Sequence, residues 1–321
     1  MKVNLANEML GGQGGGIKNA ADTFVRNLKK RGIDIKMNRM DNYDILHTNT
    51  IGPYCLSQIK VARLFKRKVI VHAHSTAREL NDSFTFGDQL SKAALKYFKY
   101  FYNKGDLVLT PTEYSKKVLI EDGVTKPIEV LSNGINTEKF KPSNTHDKGY
   151  VYCVGHFFIK KGITTFSDLA EEFPDISFKW FGPVYNPIFV HPGKINEITE
   201  NKPDNFEIMG FVPDIVKAHQ DGRIFLFPSY EENEGIVILE AAACGKAIVV
   251  RDIPTYEGWL VDGVNCLKCK TDDDFKKAVG RLLQDEKLRE KLGKEAIKLA
   301  ESRSIDKSID KLVKIYENIL K

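Results

Sequence analysis

Apolar and polar positions follow two alternating rhythms along this chain. Short runs such as KVIVHAH (68–74), DLVLTP (106–111), GYVYCVG (149–155) and RIFLFP (223–228) are apolar almost throughout, as strands covered on both faces are. Between them lie longer segments with apolar residues three and four apart, the spacing of a helix that buries one face. The first half predicts strands at 2–6, 34–39, 43–48, 68–74, 106–111 and 128–133, helices near 17–31, 54–65 and 88–103, and a further helix starting at Thr112. The second half restarts the pattern, with strands at 149–155, 176–182, 206–210, 223–228 and 246–252 and helices at 162–173 and 235–243; the sequence after 271 is charged and helical. Such alternation predicts an α/β protein with parallel sheets, and two series predict two Rossmann-like domains facing each other across a cleft. The polar stretch NTEKFKPSNTHDKG (136–149) marks the boundary, so the expected domains are 1–142 and 143–321, with the terminal amphipathic helix packing back on the first.

A chain of 321 residues suits two domains of about 150 each. No apolar run approaches the ~18 residues of a membrane span, and MKVNLANEM lacks a signal-peptide pattern. With five scattered cysteines, these features lead to the expectation of a reducing, cytoplasmic setting. Cys266 and Cys269 form a lone C-x-x-C that reads as a strand edge, not a zinc site. Charge is divided unevenly: residues 1–142 carry 23 Lys and Arg against 14 Asp and Glu, a net of +9, and the remainder carries 25 against 29, a net of −4. A basic first half is expected to face an anionic surface.

The stretch EENEGIVILE (231–240) holds the sharpest candidate chemistry. It follows a buried strand ending at Pro228 and leads into a helix that stops near Gly245. Glu232 then lies in the strand-to-helix loop and Glu240 in the second helical turn. The backbone amides of Gly235, Ile236 and Val237 stand at the helix start, where anions bind. Two carboxylates able to accept hydroxyl protons around an anion-binding helix start suit a nucleotide sugar; a solvated acidic loop is the plainer alternative.

In its wider sequence the chain resembles the family 4 glycosyltransferases of the GT-B fold. PSYEENEGIVILEAAACGKAIVVRDIP (228–254) resembles that family's signature of a glutamate, seven residues and a glutamate. SNGINTEKFKP (132–142) resembles its interdomain segment, GGQGGG (11–16) its glycine-rich first loop, and VGHFFIKKGI (154–163) the stretch that supplies cations to the donor diphosphate. HAHST, FIKKGI, YEENEGIVILEA and RDIPTYEGWLVDGVNC look most like bacterial enzymes that glycosylate diacylglycerol or glucosyl-diacylglycerol.

The resemblance implies roles residue by residue. Glu232 would bind hydroxyls of the transferred sugar, Glu240 the ribose hydroxyls, and the amides at Gly235, Ile236 and Val237 the phosphate oxygens. Lys161 would clamp the diphosphate, with Lys160 a second candidate. Many members carry an arginine where this chain has His156, which would serve as a second cation only if protonated. Gly15 and Gly16 would approach the reacting centre, and His74, with His72 beside it, would lie close to the sugar; His47 reads as structural or acceptor-side. The family retains the donor's anomeric configuration and generally needs no metal or other cofactor, and no nucleic-acid partner is expected.

GDQLSKAALKYFKYFYNKGD (87–106) places Lys92, Lys96 and Lys99 among aromatics including Tyr100, which reads either as an interfacial helix or as a domain helix whose aromatics enter the core. RLFKRK (63–68) and the basic first half favour an anionic membrane surface. The expected function is transfer of a hexose from a UDP-sugar to a lipid or glycolipid on the inner face of the cell membrane. The rival expectations are transfer to a soluble or polyprenyl-linked glycan, epimerisation of a UDP-sugar, or nucleotide-sugar binding without catalysis.

Overall fold

Runs such as ILHT, KVIVH and LVLT bury nearly every side chain and therefore form inner strands of parallel sheets. The structure, a computed structural model, describes residues 1–8, 16–39, 41–80, 87–143, 146–184 and 192–321. Its elements are β1 (Lys2–Ala6), α1 (Gly16–Lys30), β2 (Asp34–Met37), β3 (Ile45–Thr48), α2 (Pro53–Leu64), β4 (Lys68–His72), α3 (Gly87–Tyr102), β5 (Leu107–Thr110), α4 (Glu113–Glu121) and β6 (Ile128–Val130). They continue with β7 (Val151–Val154), α5 (Ile163–Glu172), β8 (Phe178–Phe181), α6 (Pro192–Asn201), β9 (Phe206–Gly210), α7 (Ile215–Asp221), β10 (Ile224–Phe227), α8 (Ile236–Ala243), β11 (Ala247–Arg251), β12 (Leu267–Cys269), α9 (Asp272–Gln284), α10 (Glu286–Ser302) and α11 (Ile305–Leu320).

Two compact units result. The first holds a parallel sheet of order β2-β1-β3-β4-β5-β6 and the second a parallel sheet of order β12-β11-β10-β7-β8-β9. Both orders reverse once, between β1 and β3 in one unit and between β7 and β10 in the other. At such a point the loops leaving neighbouring strands diverge and open a crevice at the strands' C-terminal ends. The second unit's core is aromatic, with Trp180, Phe166, Phe178 and Phe206 fully buried and in edge or tilted contact.

The division between units differs from the 142/143 boundary read from the sequence. Residues 134–142 belong to the second unit, because the amide of Ile135 donates to the Arg303 carbonyl and Phe140 enters that unit's core. Helix α11 belongs to the first: Ile309, Leu312 and Tyr316 pack with Val3, Leu5 and Phe24, and Arg31 bridges Asp306 and Asp310 at 2.7 and 2.8 Å. Several predicted strands end early, among them β6, which stops at Val130 and not at 133. β2 stops at Met37 because Asn38 turns into the left-handed region, and β4 stops at His72, leaving His74 beyond it.

Candidate functional site

The crevice between β7 and β10 brings the sequence's main candidates together. After β7 the chain makes a tight 3-10 turn at Ile159–Lys161, and Gly162 reverses it with φ +80°. A side chain there would also stand 2.4 Å from the Pro228 carbonyl oxygen, so only glycine lets the two loops touch this closely. The loops are stitched together by backbone: the Tyr230 amide donates to the Lys160 carbonyl at 2.9 Å, and the Lys160 side chain takes no part in that contact.

This closeness sets the Lys161 ammonium directly on Glu232, whose Oε1 accepts from Lys161 Nζ and, at 2.8 Å, from Ser229 Oγ. The Thr255 hydroxyl donates to the Glu232 carbonyl at 2.8 Å, fixing its backbone too. Glu232 is buried and Lys161 largely so. Each ion compensates the other's lost hydration, a burial neither would tolerate alone. His156 stacks on Phe158 with ring centroids 5.5 Å apart. Burial, and then the neighbouring Lys161 charge, push its pKa below the usual histidine value. That direction works against a protonated second cation here, because burial and a neighbouring ammonium both disfavour a charged imidazole.

Helix α8 begins where expected, with Gly235 as N-cap and Ile236 and Val237 in its first turn, so their amides lack intrahelical partners. Glu240 lies in the second turn, with His219 Nε2 at 3.3 Å from its Oε2. A carboxylate only accepts, so this nitrogen donates; the other ring nitrogen faces the Tyr152 hydroxyl at 3.0 Å. Sequence reasoning missed His219, because nothing in AHQDG distinguishes a fully buried histidine from a solvated one. It also missed Arg251, whose Nε donates to the Pro228 carbonyl at 3.0 Å and whose Nη2 donates to Thr165 Oγ1 at 3.0 Å, with its guanidinium 3.9 Å over the Tyr230 ring. Arg251 clamps the loop that presents Glu232. Glu234, also missed, is buried and meets Arg303 at 3.4 Å.

In the first unit the corresponding strand ends carry polar residues. His74 is half-buried, and its Nε2 lies 2.9 Å from Asn49 Oδ1. Asn49 Nδ2 donates to Asn7 Oδ1 at 3.1 Å, which assigns Oδ1 as the acceptor and so places the proton on His74 Nε2. His72, read from the sequence as standing beside His74, is fully buried and stacked 3.9 Å from His74, 5.4 Å from His47 and 5.9 Å from Phe24, so in this structure it packs against His74 and is closed to solvent. His47 is fully buried too, with its Nδ1 at 2.6 Å from the Tyr316 hydroxyl. Burial lowers the pKa of His47 to about 3 and of His74 to about 4, and drives that of His72 well below its ordinary value. Gly16 is the first residue of α1, and Gly15 lies outside the described residues.

Helix α3 resolves its two readings in part. Lys92, Lys96, Lys99 and Tyr100 are exposed, whereas Phe101 and Tyr102 are fully buried, and Tyr97 and Phe98 pack against the same core. The aromatic face is structural, and the lysine face meets solvent. Among the described residues no helix is long and apolar enough to cross a membrane, and no group of three His, Cys, Asp or Glu side chains converges as metal ligands would. Cys266 and Cys269 are buried at edge strand β12, their thiol pKa values pushed up to about 12 by burial.

Comparison with known proteins supplies the family context. Residues 134–299 match the family described as Glycosyl transferases group 1, and residues 35–139 match Glycosyltransferase Family 4. The chain is 32% identical over 313 residues to the processive diacylglycerol alpha-glucosyltransferase of Acholeplasma laidlawii, covering 92% of this chain and 91% of that protein. It is 27% identical over 280 residues to the alpha-galactosylglucosyldiacylglycerol synthase of Streptococcus pneumoniae, covering 80% and 74%. Among solved structures, Anabaena HepE in complex with UDP and glucose superposes with a TM-score of 0.78 at 15% identity, covering 99% of both chains. Sucrose-phosphate synthase from Thermosynechococcus elongatus superposes with a TM-score of 0.84, also at 15% identity, covering 99% of this chain and 98% of that one.

Proposed function

This chain belongs to the family 4 glycosyltransferases, with the two Rossmann-like units of the GT-B fold, and we propose that it moves a hexose from a UDP-sugar to the hydroxyl of a diacylglycerol-type lipid or glycolipid, with retention at the anomeric carbon. The observation that carries this reading is the Lys161–Glu232 pair, set at the strand reversal beside the start of α8. Without donor, each ion compensates the other. An arriving diphosphate takes over as the partner of Lys161, and Glu232 turns its freed oxygen to sugar hydroxyls. Glu240, held by His219, accepts from the ribose hydroxyls, and the first-turn amides of α8 meet phosphate oxygens.

During transfer the bond from the anomeric carbon to the diphosphate oxygen breaks, and a bond to the acceptor oxygen forms. The acceptor's proton leaves with the diphosphate. Negative charge grows on the departing phosphate, where a fixed ammonium and oriented amides stabilise it most, so no metal or other cofactor is assigned. His74 is the first unit's candidate for contact with the transferred sugar. A UDP-hexose is α-linked, so the alpha product named for the Acholeplasma relative supports retention. That relative's name and the pneumococcal one support a diacylglycerol-type lipid acceptor.

The test is transfer of label from UDP-glucose or UDP-galactose into organic-extractable lipid, with diacylglycerol or glucosyl-diacylglycerol in anionic liposomes. Labelled lipid that Glu232→Gln reduces at least tenfold supports the proposal. Free sugar alone refutes the lipid acceptor, and label moved to a soluble glycan replaces it.

A further inference from the structure

We propose that the C-terminal tip of α2, carrying Leu64 and Phe65, is the surface by which this protein docks on an anionic lipid bilayer; the proposal rests on the lipid-acceptor reading above and gives it a location. Leu64 is 81% exposed and Phe65 is 66% exposed, the two most exposed large apolar side chains among the described residues. They adjoin one another at a helix end, with Val61 exposed one turn earlier.

The tip is ringed by positive charge. Lys60, Arg63, Lys66, Arg67 and Lys68 fall within nine residues that contain no carboxylate. Arg63 ties the tip to the end of α3, donating to Asp106 at 2.8 Å and to the Lys104 carbonyl at 2.6 Å, so it absorbs the charge of Asp106. Lys104 lies 4.3 Å over the exposed ring of Tyr100 and extends the basic, aromatic surface, while Arg67 sits over Tyr43 at 4.5 Å and over Phe65 at 5.5 Å.

Backbone geometry adds an independent observation. The Arg67 amide donates to the Ala62 carbonyl at 2.9 Å and the Lys66 amide to the Arg63 carbonyl at 3.1 Å, the paired bonds of a helix end that usually turns on glycine. Here the turning residue is Lys66, at φ +53°. A side chain in that conformation is strained, and glycine would relieve it. Strain retained at a tip where it supplies a cation beside two exposed apolar groups has its reason in binding.

A bilayer satisfies all three features at once. Leu64 and Phe65 sink to the acyl boundary while cations just above them meet lipid phosphates. Nucleic acid offers no apolar layer for Leu64, and a two-fold dimer through this patch would set like charges against each other.

The experiment is sedimentation of the full chain with vesicles of phosphatidylcholine, alone or mixed with phosphatidylglycerol, at low and high salt. Binding to the anionic vesicles is expected to weaken tenfold or more in the Leu64→Ser/Phe65→Ser variant. Lys66→Gly is expected to weaken it about fivefold, the share of one cation, while unfolding no earlier than the parent. Unchanged binding in both variants overturns the proposal, as does a dimer in gel filtration that the serine variant splits. Transfer to diacylglycerol dispersed in detergent reports on the acceptor reading alone: the serine variant is expected to retain it. Its absence in the parent would remove that reading, while the vesicle result still judges the surface.

Discussion

Gly162→Ala is the substitution that best tests how the fold builds the donor site. Gly162 has φ +80°, and an added Cβ would meet the Pro228 carbonyl oxygen at 2.4 Å. The conformation alone costs roughly 1 kcal/mol for alanine. Relieving the overlap moves the Pro228 carbonyl by most of an ångström and loosens its bond from Arg251 Nε, now 3.0 Å; a hydrogen bond to a charged group contributes about 1.5–3 kcal/mol. The total is about 2.5–4 kcal/mol, and the damage falls on the loop holding Ser229 and Glu232. Gly258→Ala is the control, since Gly258 has φ +78° with nothing within 4 Å of an added Cβ, leaving only the ~1 kcal/mol of strain. Urea unfolding compares the two variants, and calorimetric titration with UDP reads the site. The expected result is a clear stability gap, with UDP affinity reduced at least tenfold in Gly162→Ala and unchanged in the control. Equal losses of stability together with intact UDP binding in Gly162→Ala would refute the role given to this close approach.

Two further outcomes follow from buried histidines. His47 and His72 have folded-state pKa values far below the unfolded value of about 6.5, so the unfolded chain binds more protons at acid pH. Their contribution is fully present above pH 6.5 and is lost as pH falls towards 3, at up to about 1.4 kcal/mol per pH unit for each histidine. Urea midpoints measured from pH 7 to 5 should therefore fall, and His72→Phe, which keeps the stacked ring without its nitrogens, should flatten the slope. His219→Leu removes the group that orients Glu240 and is expected to raise the KM for the UDP-sugar about tenfold, a loss of ~1.4 kcal/mol, with a smaller change in kcat. Steady-state kinetics with varied donor separate the two parameters, and a change in kcat alone would assign His219 a different role.

Much of this architecture was already legible in the order of residues. Strand and helix rhythms are local: a buried parallel strand must be apolar over several successive residues, and a covering helix must repeat every three to four. KVIVH, LVLT and IFLF therefore announced themselves, as did the spacing from Glu232 to Glu240 and the helix between Gly235 and Gly245. Tertiary structure alone decided which of these residues meet. Lys161 and Glu232 lie 71 residues apart and touch because β7 and β10 are neighbours at a strand reversal, which no local pattern encodes. The same holds for His47 on Tyr316 across 269 residues, and for the terminal helix joining the first unit. Burial, too, is a property of the assembled fold. It made His72 a stacked core residue, lowered the pKa of His156, turned the aromatic face of α3 inward and left Leu64 and Phe65 at the surface, because solvent access depends on what the rest of the chain packs against each side chain.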